Sequence, residues 1–393
     1  LEKSISNRFY FDFNATSPLA KKVQDFLHNG EFFFGNPASL HSTGKNARSQ
    51  ITKAKNYLFK TFSLSENEFD LYFHSGATEG INNYFKGCAL KLFKENKKAS
   101  FIFSTVDHSA VTNLKADLEI LGHKIIFFEV NKEGDFNLNE LIELIKTQTS
   151  EDREVFLNYT FINNETGVVW PLNNAEEIKN QTKAYVHVDA VQVVGKITNW
   201  NFLSSNLDVY TFSAHKFGAL KGVGFSFVKK GTFFHPLISG GNQQGGLRSG
   251  TENALGIYSI QLALEEIEQK FNGAEALEAQ TYLLDSFTRL LGSKGEVVAK
   301  NSKHRNLNTF FVIIYNSKAE LVSMKLDMNK IDVSTGSACS SGLIKESRVL
   351  MNMGYEIENA KSAIRFSFSP YLTKIEAQNY FDIISNVLNS FLI

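Results

Sequence analysis

The chain has 393 residues, 43% apolar and 21% charged, a composition that fits a folded globular protein and excludes a disordered or fibrous one. Lys+Arg and Asp+Glu each number 41, so the formal net charge is zero, which argues against nucleic acid or an anionic membrane as the main partner. No apolar run is long enough to span a bilayer, and residues 1–10 lack the apolar core of a secretory signal.

Two cysteines, Cys88 and Cys339, cannot build a disulfide framework or a Cys-rich zinc site. A reducing, cytoplasmic setting is expected. In chain order, Phe69–His74 reads as a short apolar strand, followed by a small-residue turn and helix-compatible sequence through Leu92. Ser100–Ser104 is a second strand, with a helical stretch from His108. His123–Val130, Glu154–Thr160, Ala184–Asp189, Leu207–Ser213 and Val223–Val228 repeat the strand signal. This alternation predicts an α/β fold with a mostly parallel central sheet and helices on both faces. The strands are apolar on both sides, as buried parallel strands are. After roughly Asn253 the pattern changes. A long helix reaches about Phe271, and a smaller α+β unit follows, with strands near Leu307–Ile314 and Ala363–Phe368 and a last helix from about Thr373.

Open α/β sheets bind ligands at the carboxyl ends of their strands. Polar residues gather at those ends. Lys216 closes the run Val209–Lys216, where partial desolvation would lower its pKa and free the amine for a Schiff base. A solvated surface lysine is the commoner case for such a position. Asp189 ends Val186–Asp189 and would keep a pyridinium nitrogen protonated, with Gln192 one turn on for a ring hydroxyl. A helix-capping aspartate is the plainer reading, and a metal pair of His187 with Asp189 lacks a third ligand. Ser75–Gly80 links strand to helix with small residues, a cradle for phosphate or an ordinary turn. Ser213 and His215 could donate to the same anion.

His108 would stack on a flat ring or cap its helix. Cys339 sits in Ser334–Gly342, a small-residue stretch unsuited to packing, where a thiolate nucleophile would be exposed and mobile. Cys88, within an apolar helix, reads as packing. Arg365, in the apolar strand Ala363–Phe368, suits a substrate carboxylate or a structural ion pair.

Taken together, these segments resemble the cysteine desulfurases of the class V aminotransferase family, in the housekeeping and nitrogen-fixation group. The resemblance is colinear across Phe34–His41, Ser75–Gly80, Asp107-His108, Asn163–Gly167, His187–Gln192, Ser213–Lys216, Arg248–Asn253, the Cys339 stretch and Ile364–Ser367. It implies the fold type I of pyridoxal-phosphate transferases. A large cofactor domain would span residues 15–262, and a small domain of 1–14 and 263–393 would carry the acceptor cysteine. It implies pyridoxal 5'-phosphate held covalently by Lys216, stacked on His108, read by Asp189 and Gln192, and anchored through its phosphate by Ala77, Thr78, Ser213 and His215. Thr251 would reach the phosphate of the other subunit, which makes the protein a homodimer. Asn164 and Arg365 would orient the carboxylate of L-cysteine, and Cys339 would take its sulfur for an acceptor such as an iron–sulfur scaffold protein.

Two departures stand out. Asp12 is followed by Phe13 and then Asn14, and Gly241–Gly246 lacks the family's usual acidic residue. Selenocysteine lyase, another class V aminotransferase, and a non-catalytic sulfur-trafficking scaffold are the alternative readings.

Overall fold

The computed structural model describes residues 8–30, 32–151, 153–232, 234–338 and 344–392. Strand β1 is Phe9–Tyr10. The main sheet is built from β2 (Phe69–His74), β3 (Ala99–Ser104), β4 (Lys124–Phe128), β5 (Glu154–Thr160), β6 (Tyr185–Asp189), β7 (Val209–Ser213) and β8 (Gly224–Lys229). Their order is β2-β8-β7-β6-β5-β3-β4. The pairs β7–β6, β6–β5, β5–β3 and β3–β4 are parallel, while β8 runs antiparallel to both neighbours. The α/β fold with a mostly parallel sheet is therefore the one expected.

The continuous apolar runs become strands because both faces of the sheet are covered. Every residue of β3 and of β7 is buried. On one face Ile81, Tyr84, Phe85 and Cys88 of the helix Ala77–Lys94 pack over Phe101, Phe103 and Phe156. On the other, Phe62, Phe212, Phe225 and Phe227 form an aromatic stack, with Phe212 and Phe225 ring centroids 4.6 Å apart and 11° from parallel. Burying each such ring is worth roughly 1.5–3 kcal/mol, so the abundant phenylalanines act as core. At the open edge of β2, the Gln244 amide accepts from Phe73 N at 2.6 Å and donates to Phe73 O at 3.0 Å. That side chain satisfies an edge strand's backbone where no further strand does.

Some boundaries differ from expectation. The strand expected over His123–Val130 is trimmed because His123 turns inward, accepting from Ala99 N at 3.2 Å. The helical stretch after His108 is two short helices, Ser109–Thr112 and Lys115–Ile120.

Beyond the helix Ala254–Lys270, a second sheet forms from β9 (Gly295–Val297), β10 (Thr309–Ile314), β12 (Ser334–Thr335) and β15 (Ala363–Ser367), ordered β12-β15-β10-β9 and antiparallel. Its apolar core is separate, gathering Phe287, Phe310, Phe366 and Leu388 with Phe11 from the chain's start. Strand β1 reaches it by pairing in parallel with Ile331–Asp332, numbered β11. Ser337–Ala338 (β13) and Ile344–Lys345 (β14) pair antiparallel around residues 339–343. The last helix, Lys374–Leu388, starts with a capping box between Thr373 and Glu376.

Candidate active site

A cavity of about 600 Å³ opens over the carboxyl ends of β5, β6 and β7. Its floor is Lys216, on the single 3-10 turn that follows β7. Lys216 Nζ donates to the carbonyls of Asn14 and Ala15, both at 2.8 Å. Burial, seconded by the Arg365 charge, pulls this amine down to about 8. Asp189, at the end of β6, is buried and pushed up to about 6 by desolvation, against the pull of Val191 N and Lys216. Its Oδ1 accepts from Val191 N at 3.1 Å, closing a turn where no helix follows, so the helix-capping reading does not hold. A protonated ring nitrogen placed against its other oxygen would restore the carboxylate.

Gln192 and Asn164 share the wall. So does His108, the cap of its short helix. Its Nδ1 accepts from Ala110 N at 3.1 Å, so Nε2 carries the hydrogen. Burial and the Lys216 charge bring this imidazole down to about 4, leaving it neutral at physiological pH.

The rim opposite is anion-shaped. The helix Ala77–Lys94 has no side-chain cap, and its first-turn residues Ala77 and Thr78 line the cavity with Ser213 and His215. The first amides of any helix lack internal partners and carry the positive end of its dipole. His215 Nδ1 lies 3.1 Å from Thr16 Oγ1. A phosphate fits this end and an amine-reactive aromatic aldehyde fits the floor, so the donor set suits pyridoxal phosphate. His187 is no metal ligand. It is buried, and its two ring nitrogens are engaged by Asn158 Oδ1 and Thr211 Oγ1, each at 2.8 Å. Among the described residues no group of three His, Cys, Asp or Glu is placed to hold a metal.

Two expected site residues, Arg365 and Thr251, stand apart from the cavity wall. Arg365 lies behind Asn164, donating Nη1 to its carbonyl at 3.1 Å while Nη2 pairs with Asp12 at 2.7 Å. The structural ion pair is thus the arrangement present, and Arg365 Nε is buried with no hydrogen-bond partner among the described residues. Thr251 lines a separate cavity of about 220 Å³ with Asn36, Arg48 and Gln243. Cys339 lies outside the described residues.

Sequence reasoning missed several neighbours. Asn14 is a buried hub. Its Nδ2 donates to Thr309 Oγ1 at 2.8 Å and Asn164 O at 3.1 Å, and its amide to Ser367 Oγ at 3.0 Å. Glu165 is buried, and Ser347 Oγ donates to it at 2.6 Å. Arg348 holds the carbonyls of Thr105 and Asp107, just before His108. Asn14, which follows Asp12 and Phe13 at the end of an aromatic run, and Glu165, inside the Asn163–Gly167 motif, carried local signals, whereas Arg348 carried none.

The family profile described as Aminotransferase class-V matches residues 9–380. The chain is 34% identical over 392 residues to a cysteine desulfurase IscS of Dictyoglomus turgidum, covering 96% of this chain and 94% of that one. Among solved structures, a NifS-like protein superposes with a TM-score of 0.83 at 30% identity, over 98% of this chain and 100% of the other. A structure of SspA in complex with cysteine gives 0.76 at 25% identity, over 92% and 99%.

Proposed function

The chain belongs to the class V aminotransferase family, and from that premise we propose that it is a cysteine desulfurase, converting L-cysteine to L-alanine with transfer of the sulfur to Cys339. The observation that carries this reading is the convergence of Lys216, Asp189, Gln192 and His108 on one cavity with the open N-terminus of the helix Ala77–Lys94. Pyridoxal 5'-phosphate, the cofactor on which the family's chemistry depends, would be held there. Lys216 would take its aldehyde, Asp189 its ring nitrogen and Gln192 its ring oxygen, with His108 against the ring face. Ala77, Thr78, Ser213 and His215 would hold its phosphate, with Thr251 of a second copy completing the site in a homodimer. Bound in this way, the cofactor supplies an electron sink for the substrate's α-carbon.

The protein's own groups do the rest. Asn164 and Arg365 orient the substrate carboxylate, Asn164 from the cavity wall and Arg365 as the guanidinium charge held behind it. Lys216, once released, takes the α-proton at Nζ, a task suited to an amine near neutrality. The Cys339 thiolate attacks the substrate sulfur. An S–S bond forms, the Cβ–S bond breaks with its electron pair left on the substrate carbon, and protonation completes alanine. His108, whose Nδ1 accepts from Ala110 N, would carry one of these protons at Nε2. An acceptor such as an iron–sulfur scaffold then collects the sulfur. This reading includes a cytoplasmic setting, and among the described residues no helix is long and apolar enough to cross a membrane. It also includes the division into residues 15–262 and residues 1–14 with 263–393, supported by the separate core that joins Phe11 to Phe310 and Phe366.

The test is simultaneous measurement of alanine and reductant-released sulfide from L-cysteine. Equal amounts from the wild type, with both lost in Cys339→Ser, are expected. Sulfide at the wild-type rate from Cys339→Ser would remove Cys339 from the mechanism. A bound cofactor with no alanine would point to another amino acid as substrate.

A further inference from the structure

Lys196 is one of the largest fully buried side chains, at 2% exposure. A lysine at that depth ordinarily faces a carboxylate. Here Nζ instead donates to two neutral amide oxygens, Asn14 Oδ1 at 2.9 Å and Gln192 Oε1. The neighbouring carboxylate, Asp12, is engaged by Arg365. Nothing about packing demands an amine in this place, since a methionine would fill similar volume without desolvating a polar group.

What the amine does is orient amides. Its hydrogens face both amide oxygens, so both amide nitrogens must point away. Gln192, which lines the cavity, thereby turns Nε2 away from Lys196, and Nε2 donates to Asn14 O at 3.1 Å. The same carbonyl accepts from Lys216 Nζ at 2.8 Å. Asn14 Nδ2 is turned to Thr309 Oγ1 and to the carbonyl of Asn164. One buried amine thus fixes the amide that faces the expected cofactor ring and braces the backbone of the residue expected to face the substrate.

We propose that Lys196 is a positioning residue that locks the Gln192 amide with its nitrogen toward the cofactor's ring oxygen. The inference rests on the pyridoxal-phosphate reading of the preceding subsection. Without Lys196 the amide is free to turn over. It would then present Oε1, an acceptor, to a ring oxygen that is anionic in one of its titration states, and disfavour that state.

The bound cofactor reports this directly through the pH at which its visible absorption changes. In Lys196→Met holoenzyme that midpoint should rise by about one pH unit, the loss of one hydrogen bond to a charged oxygen. Lys196→Arg, which can likewise offer only donors, should stay near the wild-type value. Thermal unfolding measured on the same samples separates this from a structural role. A lowered melting temperature with an unmoved midpoint in Lys196→Met would overturn the proposal while leaving the cofactor reading intact. Wild-type protein that shows no visible band after incubation with pyridoxal phosphate would overturn both.

Discussion

At the scale of single residues, burial sets the chemistry of the cavity. Lys216 is a lysine whose surroundings withhold water and add the positive charge of Arg365, so its neutral form becomes common near pH 8 instead of near 10.5. The neutral amine is the nucleophile. Loading of pyridoxal phosphate onto cofactor-free protein should therefore accelerate as pH rises through about 8 and then level off. Stopped-flow absorbance would check this, and a rate still climbing towards pH 10 would contradict it. Glu165 shows the opposite sign. Burial, only partly offset by Ser347 and Arg365, raises this carboxyl from 4.5 to about 7. The folded state binds its proton more tightly than the unfolded chain does. Its contribution to stability is thus present below pH 4.5 and lost as pH rises through 7. Glu165→Gln keeps an acceptor for Ser347 without the charge. It should flatten the fall in stability between those values by up to about 3 kcal/mol. Denaturant midpoints at pH 5 and pH 8 would decide, and parallel curves for variant and wild type would exclude Glu165 as the source.

At the scale of elements, the site is made by strand ends and the turns that leave them. The turn Asn163–Gly167 shows how tightly such a segment is built. Asn163 Oδ1 accepts from Glu165 N and Thr166 N, both at 3.0 Å, and Gly167 turns the chain with φ +74°. A Cβ at Gly167 would lie 2.5 Å from Asn306 Oδ1 and 2.8 Å from Thr309 Cβ. Gly167→Ala therefore combines a strained φ with a collision, costing about 2 kcal/mol or more. The displaced turn carries Asn164. The expected result is a rise of about tenfold in KM for L-cysteine with a smaller change in kcat. An unchanged KM would show that Asn164 does not hold the substrate. The turn was legible in sequence because Asn-Asn-Glu-Thr-Gly follows an apolar strand. Its docking on Asn306 and Thr309, some 140 residues away, was not, since no local periodicity encodes such a contact.

At the scale of the whole molecule, the later, smaller sheet is tied to the cavity floor through Asn14. Asn14 joins β15 through Ser367, β10 through Thr309 and the cavity floor through Lys216. Thr251, by contrast, faces a different cavity of its own chain. If the active protein is a homodimer with Thr251 supplied across the interface, two defective variants should complement each other. Lys216→Ala mixed equally with Thr251→Ala, unfolded and refolded together, should recover about a quarter of wild-type activity. Half of the dimers would be mixed, each holding one intact site. Activity no greater than the sum of the separate variants would place Thr251 outside the neighbouring site.

The sequence by itself determined the α/β alternation, the strand ends that carry Lys216, Asp189 and His108, and the resemblance that joins them. Those signals are local or colinear: apolar runs, small-residue turns and motifs of a few residues. Only the tertiary structure decided that Arg365 stands behind Asn164 and pairs with Asp12, that His187 is consumed by Asn158 and Thr211, and that Lys196 reaches Asn14 across 182 positions. Such side chains gain their partners when separate strands and turns are packed into one dry interior. There the balance between desolvation and hydrogen bonding depends on neighbours that the chain order does not name.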